Sequence, residues 1–293
     1  MSTHPFVSRL SMTLPMMVLL LAGAASPALA QVDLVGTWAA PRHEDIPERV
    51  PGPHPVDFTG IPLNDEGRAR ALAYSTSLIS MVERQCAGYT QAYLFYGPFG
   101  LNIWNVTDPV NGNIVAITMG AGEDRAETTI WMDGRPHPSK DAHYPHDGFT
   151  TGRWEGDVLV TRTTHNKPGY IRRNGAPSSD EATLTAHYIR HGDLLTVVGI
   201  VEDPLYLTAP YIKTKNFRLD TNPGRPIGPP CQPGFEGTLV EGLVPHYLPG
   251  KNPFVNELSR VFGIPTEAAL GGAATMYPEF RKTIRDTYVR PGK

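Results

Sequence analysis

The chain has 293 residues, of which 26 are basic and 29 are acidic, giving a net charge of −3 at neutral pH. Because the charge is slightly negative, the composition does not point to nucleic acid or to an anionic membrane surface as a partner. A chain of this length can bury a sizeable hydrophobic core, as one large domain or two small ones.

The first 30 residues have the organisation of a secretory signal peptide. Arg9 is followed by an apolar run from Leu14 to Ala25 and then by Ala28-Leu29-Ala30, which is the order of basic, apolar and small-residue regions in such peptides. The apolar run is too short to cross a bilayer, so membrane insertion is not predicted. We expect cleavage after Ala30 and a periplasmic or secreted protein.

Residues 31–100 are predicted to contain an N-terminal strand, a proline-rich arm and a helix. Prolines recur between positions 39 and 63 and exclude regular structure for most of that stretch. Asn64 is a favourable N-cap, and the acidic residues Asp65 and Glu66 suit the positive end of the helix dipole. The helix is predicted to run through Leu72 and, if it continues, to Met81.

Residues 101–220 are the predicted β-barrel core. Eight segments are rich in Val, Ile, Thr and aromatic residues, alternate with a period of two and have glycine-containing turns beside them, as half-buried strands do. The segments begin at Leu101, Asn113, Ala126, Gly148, Val158, Ala182, Leu194 and Tyr211. Short strands with short connections predict an antiparallel sheet that curls strongly or closes into a barrel, to which Gly36–Trp38 adds a strand or a plug.

Residues 221–293 are predicted to form a helical extension packed on the barrel. Asn252 is a candidate cap with Pro253 at the first helical position, and Gly263 ends that segment. A second helix is predicted to begin near Pro278.

Two resemblances support a β-rich fold. Gly36-Thr37-Trp38 resembles the Gly-x-Trp that opens lipocalin-type barrels, in which the tryptophan closes one end of the barrel. The segments TIWMDGRPHP (129–138), GFTTGRWEGDVLV (148–160) and YIRRNG (170–175) are similar to a broad set of uncharacterised exported bacterial proteins. The second resemblance implies a shared fold and carries over no reaction, cofactor or catalytic residue.

The chain has two cysteines, Cys86 and Cys231, and both lie in the predicted mature part. An oxidising compartment favours a disulfide between them. The alternative is a pair of buried thiols.

A His-x-x-His pair, His143 and His146, is flanked by two aspartates. On a loop these side chains can converge on Zn²⁺ or another divalent metal, with His137 or His165 as the nearest further ligand in the sequence. The alternative is a set of solvated loop side chains. No cofactor is firmly implied, and a divalent metal is the one that the pattern allows.

Histidines and arginines near the predicted strands are candidates for acid/base chemistry. His165 is the first candidate general base and His187 the second, because histidine titrates near neutral pH. His187 has an alternative role as a core residue. Arg172 is the candidate that holds an anion. Arg162 lies on the strand face of Val158 and points into the barrel if that face is the inner one.

The leading functional prediction is an exported barrel that binds a small, largely apolar or aromatic molecule with an anionic or carbonyl group. The predicted walls of its pocket are Trp104, Trp131, Trp154 and Tyr170, and Arg162 or Arg172 fixes the polar end. The chain has no nucleophile-elbow, phosphate-loop, dinucleotide or c-haem motif. The alternative is therefore an exported lyase, isomerase or hydrolase that uses histidine acid/base chemistry without a covalent intermediate, with or without a metal. The sequence assigns no oligomeric state.

Overall fold

The computed structural model describes residues 32–41, 53–81, 93, 100–120, 127–222, 234 and 242–287. The predicted signal peptide, Cys86 and Cys231 lie outside these residues. Export after Ala30 and the disulfide therefore stay predictions.

Nine strands close into a barrel, which confirms the predicted mainly β fold. They are β1 (Gly36–Ala39), β2 (Leu101–Thr107), β3 (Ile114–Gly120), β4 (Glu127–Trp131), β5 (Phe149–Glu155), β6 (Val158–Thr164), β9 (Thr183–His191), β10 (Leu194–Glu202) and β11 (Tyr211–Asp220). Around the barrel the order is β1-β11-β10-β9-β6-β5-β4-β3-β2. A separate two-stranded ribbon consists of β7 (Gly169–Tyr170) and β8 (Pro177–Ser178). Each of the eight predicted segments contains one barrel strand, and β1 supplies the ninth.

The barrel is antiparallel, as predicted, except at one pair of strands. β4 and β5 run parallel, with Ile130 opposite Thr150 and Trp131 opposite Thr151. Parallel neighbours cannot be joined by a tight hairpin, and here the chain returns through residues 132–148, which we call the crossover loop. This loop carries His137 and the His-x-x-His pair.

Strand register separates the inner and outer faces of the barrel. On the inner face, the buried pairs across β6 and β9 are Leu159 with Tyr188, Thr161 with Ala186, and Thr163 with Leu184. The alternate residues of β6, which include Val158 and Arg162, therefore face outward, and Arg162 is exposed. The condition under which Arg162 would point into the barrel, an inward Val158 face, is therefore not met. On β6 the inner face instead buries one apolar side chain and two threonines, namely Leu159, Thr161 and Thr163.

Trp38 lies on the inner face of β1 and is fully buried. It stands opposite Leu101 on β2 and Leu219 on β11, and its indole nitrogen donates a hydrogen bond of 2.9 Å to the carbonyl oxygen of Leu34. The tryptophan of the Gly-x-Trp motif is thus a core residue of the barrel.

The first described helix, α1 (Asp65–Ala73), begins where its sequence predicts. The Oδ1 atom of Asn64 accepts a hydrogen bond of 2.8 Å from the backbone N–H of Gly67, which satisfies one of the free donors at the start of a helix. The helix ends at Ala73, and a short 3₁₀ helix follows at Thr76–Ser80. A single helix reaching Met81 does not form.

The C-terminal part contains α2 (Glu257–Phe262), α3 (Thr266–Ala269) and α4 (Pro278–Thr287). The predicted start at Asn252 is wrong, because its Oδ1 atom accepts from the backbone N–H of Phe254 at 2.9 Å and forms a turn before the helix. Gly263 ends α2 as predicted, with φ at 67°.

The proline-rich arm packs against the C-terminal part, because the backbone N–H of Phe58 donates a hydrogen bond of 2.8 Å to the carbonyl oxygen of Ala269. Within the described ranges, no helix combines the length and apolar content needed to span a membrane.

Candidate functional site

A chain of hydrogen bonds links the crossover loop to the outer face of β5 and β6. His137 contacts both strands, with 2.9 Å between its Nε2 atom and Oγ1 of Thr151 and 2.7 Å between its Nδ1 atom and Oγ1 of Thr164. The same Thr164 oxygen lies 2.7 Å from Nδ1 of His165. The Nε2 atom of His165 lies 2.9 Å from the carbonyl oxygen of Ser139. We call these four side chains and the Ser139 carbonyl the histidine relay.

When both rings are neutral, the direction of every bond in the histidine relay follows from its last acceptor. A carbonyl oxygen only accepts, so Nε2 of His165 carries the hydrogen and Nδ1 of that neutral ring accepts from the Thr164 hydroxyl. Because the Thr164 hydroxyl has only one proton and donates it to His165, its oxygen can only accept from His137. The Nδ1–H group of His137 is therefore the donor in that bond. The Nε2 atom of His137 is left as an acceptor, and the Thr151 hydroxyl donates to it.

His165 has an unusual backbone conformation, with φ at 59°. This left-handed conformation is uncommon for residues other than glycine and costs on the order of 1–3 kcal/mol. The His165 side chain is buried, with 8% of its surface exposed, and its ring lies 4.8 Å from the ring of Tyr144. The bonds to Thr164 and Ser139 and this ring contact hold the strained residue in place.

The environment of His137 favours its neutral form. Burial lowers the pKa of His137 below the usual value of 6.5, and the positive charge of Arg162 lowers it further. A neutral imidazole near pH 7 agrees with the acceptor role of its Nε2 atom. The ring also meets the edge of the Phe149 ring, with 5.4 Å between centroids.

Three outward side chains form one row across neighbouring strands. Trp131 stands opposite Thr151, and Thr151 stands opposite Arg162. Directly opposite residues have Cβ atoms about 5 Å apart. The row therefore brings an indole ring, a hydroxyl bound to His137 and a guanidinium group together, and we call it the outer row.

The arginines around the outer row differ in their partners. Arg153 pairs with Glu155 at 2.5 Å, and Arg135 pairs with Asp133 at 2.5 Å while its guanidinium carbon lies 3.5 Å from the centre of the Trp131 ring. Within the described part of the chain, Arg162 has no ion pair with a carboxylate. Its guanidinium group therefore remains available for an anion.

The predicted tryptophan walls are divided between the two faces. Trp154 lies on the inner face opposite Leu159 and packs against the hydrophobic core. Trp104 and Trp131 lie on the outer face, with Trp104 opposite Thr118 on β3. The structure therefore brings Trp131, but not Trp154, to the outer row.

Arg172 and Tyr170 are placed where the proline-rich arm meets the barrel. Arg172 is buried, its Nη1 atom donates 3.4 Å to the backbone carbonyl of Asp57, and its Nη2 atom lies 3.9 Å from the Asp57 carboxylate. The ring of Tyr170 meets that of Tyr74 edge-on at 5.1 Å. These contacts hold the arm, and none of them joins Arg172 to His165.

The remaining predicted histidines stand apart from the relay. His187 faces outward between Val160 and Val198, and the contact with Val198 is the one expected across that hairpin. His143 and His146 are exposed on the crossover loop. Among the described residues, no group of three or more His, Cys, Asp or Glu side chains is arranged to hold a metal ion.

Sequence reasoning named His137 and His165 but not Thr164, which contacts both rings, or Thr151, which contacts His137. Both threonines belong to strand segments whose alternation is visible in the sequence, so the side of the strand that they share with Arg162 and Phe149 could have been noted. The contact of His137 with both strands depends on the parallel pairing of β4 and β5. No local sequence pattern predicts that pairing. Comparison with protein-family models, with curated proteins and with solved structures finds no match.

Proposed function

We propose that this β-barrel protein binds a small, largely apolar or aromatic molecule with an anionic or carbonyl group, and that the ligand lies on the outer row. The observation that carries the proposal is the exposed Arg162 guanidinium group, which has no carboxylate partner among the described residues. Arg162 is directly opposite Thr151 on the neighbouring strand, and the Thr151 hydroxyl forms a hydrogen bond with His137.

Arg162 is the group suited to the anionic end of the ligand. A guanidinium group presents paired N–H donors that match a carboxylate, and such charge-assisted bonds are stronger than neutral ones. Arg135 and Arg153 already form ion pairs with acidic side chains. An anionic ligand therefore binds most favourably at Arg162, where it displaces no carboxylate.

The apolar end of the ligand has aromatic neighbours on the same face. Trp131 stands beside Thr151 in the outer row, and Phe149 contacts His137. Planar aromatic ligands gain from stacking and burial against such rings. The signal-peptide pattern of residues 1–30 supports a ligand that is met outside the cytoplasm.

The test uses benzoate as the simplest aromatic carboxylate and measures its binding by isothermal titration calorimetry. The Arg162→Met variant removes the free cation, and Arg153→Met is a matched control on the same outer face with an acidic partner. We expect R162M to weaken benzoate binding by about 10-fold or more, as loss of a charge-assisted bond does, and R153M to bind like the wild type. Absence of benzoate binding to the wild type, or equal affinity for R162M, would overturn the proposal.

A further inference from the structure

We propose that Thr151 is a nucleophile, with His137 as its general base, and that the protein hydrolyses esters of small aromatic carboxylic acids at the outer row. This inference rests on the proposed function, because the outer row supplies the place where the substrate lies.

The geometry of Thr151 and His137 is that of an activated nucleophile. The hydroxyl oxygen lies 2.9 Å from Nε2 of His137, and the direction of the relay makes that nitrogen the acceptor of the hydroxyl proton. Activation of a hydroxyl group requires such a base within hydrogen-bond reach, and a third group that orients the base. Thr164 is the orienting group, since its oxygen accepts from Nδ1–H of His137.

The groups around the pair suit the development of charge during the reaction. Burial and the positive charge of Arg162 lower the pKa of His137, which favours the neutral form that can take a proton. Arg162 is opposite Thr151 and has N–H donors for an oxyanion that forms beside the nucleophile. Thr151 is only partly buried and lies on the outer face of the barrel, which is the face that a substrate meets from outside.

The reaction balances with water as the only co-reactant. The Thr151 oxygen attacks the ester carbonyl carbon while its proton moves to His137 Nε2. The bond from that carbon to the leaving oxygen breaks, the leaving alcohol or phenol takes the proton, and the acyl group stays on Thr151. A water molecule then gives a proton to His137 and attacks the acyl carbon. The carboxylic acid leaves, and the Thr151 oxygen recovers its proton.

Thr185 provides a control next to the outer row. It flanks Arg162 on the opposite side from Thr151, on the same outer face and with similar partial burial. In the described part of the chain, its hydroxyl has no histidine partner. A reaction that needs only a threonine near Arg162 would involve both residues, whereas one that needs His137 would involve Thr151 alone.

The experiment follows p-nitrophenolate release from p-nitrophenyl benzoate by the full-length protein and its variants. We expect Thr151→Val and His137→Gln to lower kcat by about 100-fold or more, and Thr185→Val to leave it unchanged. Thr151→Ser keeps the hydroxyl and should restore turnover, which separates loss of the nucleophile from a folding defect. Acid quenching followed by mass spectrometry should find a benzoyl group on the peptide that contains Thr151.

Failure of this inference and failure of the proposed function give different results. Benzoate binding by a wild type that does not hydrolyse the ester would overturn the inference and leave the binding proposal intact. Hydrolysis that survives T151V, or that is lost equally in T185V, would overturn it as well. Absence of benzoate binding to the wild type would remove the proposed function on which the inference rests.

Discussion

His137 and His165 share a single hydroxyl group. The Oγ1 atom of Thr164 lies 2.7 Å from Nδ1 of each ring, and it has one proton to give. When both rings are neutral, the two histidines therefore hold opposite tautomers, with the hydrogen on Nδ1 of His137 and on Nε2 of His165. The tautomer of one ring then sets the direction of the bonds that join the crossover loop to β6.

Removal of the shared hydroxyl should destabilise the fold. The Thr164→Val variant leaves Nδ1–H of His137 and Nδ1 of His165 without their partner, and an unsatisfied buried polar group costs about 1–3 kcal/mol. We expect the free energy of unfolding in urea to fall by about that amount. Thr164→Ser should recover most of the loss, and Thr185→Val should stay within about 0.5 kcal/mol of the wild type.

The stability of the protein should also depend on the protonation of His137. Because its pKa is lower in the folded state than the usual 6.5, the unfolded chain binds a proton more readily. The stability that neutral His137 contributes is complete above pH 6.5 and is lost as the pH falls below that value, through the pKa of the folded state. Urea unfolding across this range should show the decline.

His137→Gln should flatten this part of the pH profile, because glutamine does not titrate. His143→Gln, which changes an exposed histidine on the same crossover loop, should leave the slope as it is in the wild type. An unchanged slope in H137Q would assign the decline to other groups.

The strands of the barrel could be predicted because their signals are local. The segment VLVTRTT alternates over its whole length and corresponds to β6, Val158–Thr164. Leu101–Thr107 of β2 likewise matches its predicted segment. Helix α1 starts at its predicted cap because the Asn64 side chain satisfies a nearby backbone donor.

The site could not be predicted because alternation does not reveal which face is inner. Val158 and Thr161 both suit a buried position by composition, and the choice between their faces decides where Arg162 points. The pairing of β6 with β9 settles it, since Thr161 is opposite the buried Ala186. The contact of His137 with Thr151 further requires a parallel strand pair formed across the crossover loop.

Asp147 should reduce stability at neutral pH. Burial raises the pKa of this carboxyl group above its usual 3.8, while a backbone hydrogen bond and His146 oppose the shift. The contribution of its protonated form is complete below pH 3.8 and is lost as the pH rises through the folded-state pKa. Asp147→Asn should therefore be more stable than the wild type near neutral pH in urea unfolding, with a gain that shrinks toward pH 3.8. Asp141→Asn, at an exposed position on the same loop, is the control.

The disulfide between Cys86 and Cys231 stays a prediction that protein chemistry can test. We expect protein exported to a bacterial periplasm to show no free thiol when denatured without reductant, and its N-terminal residue to be Gln31. A disulfide that closes such a long loop is worth about 5 kcal/mol on the chain-entropy model, so reduction should lower the urea midpoint markedly. Two free thiols in the exported protein would exclude the bridge.

Gly148 should be required at the start of β5 for a steric reason that a matched glycine lacks. Gly148 and Gly156 both have left-handed backbones, with φ at 69° and 60°, so alanine meets a similar conformational cost at each, about 1 kcal/mol. A Cβ atom at Gly148 would lie 2.6 Å from Oδ1 of Asn166 and 2.7 Å from the carbonyl oxygen of Thr164, whereas at Gly156 it would meet nothing within 4 Å. Because Thr164 belongs to the histidine relay, Gly148→Ala should lower the free energy of unfolding by clearly more than Gly156→Ala, and it should also weaken benzoate binding. Equal losses of stability in urea would show that backbone conformation alone selects glycine at both positions.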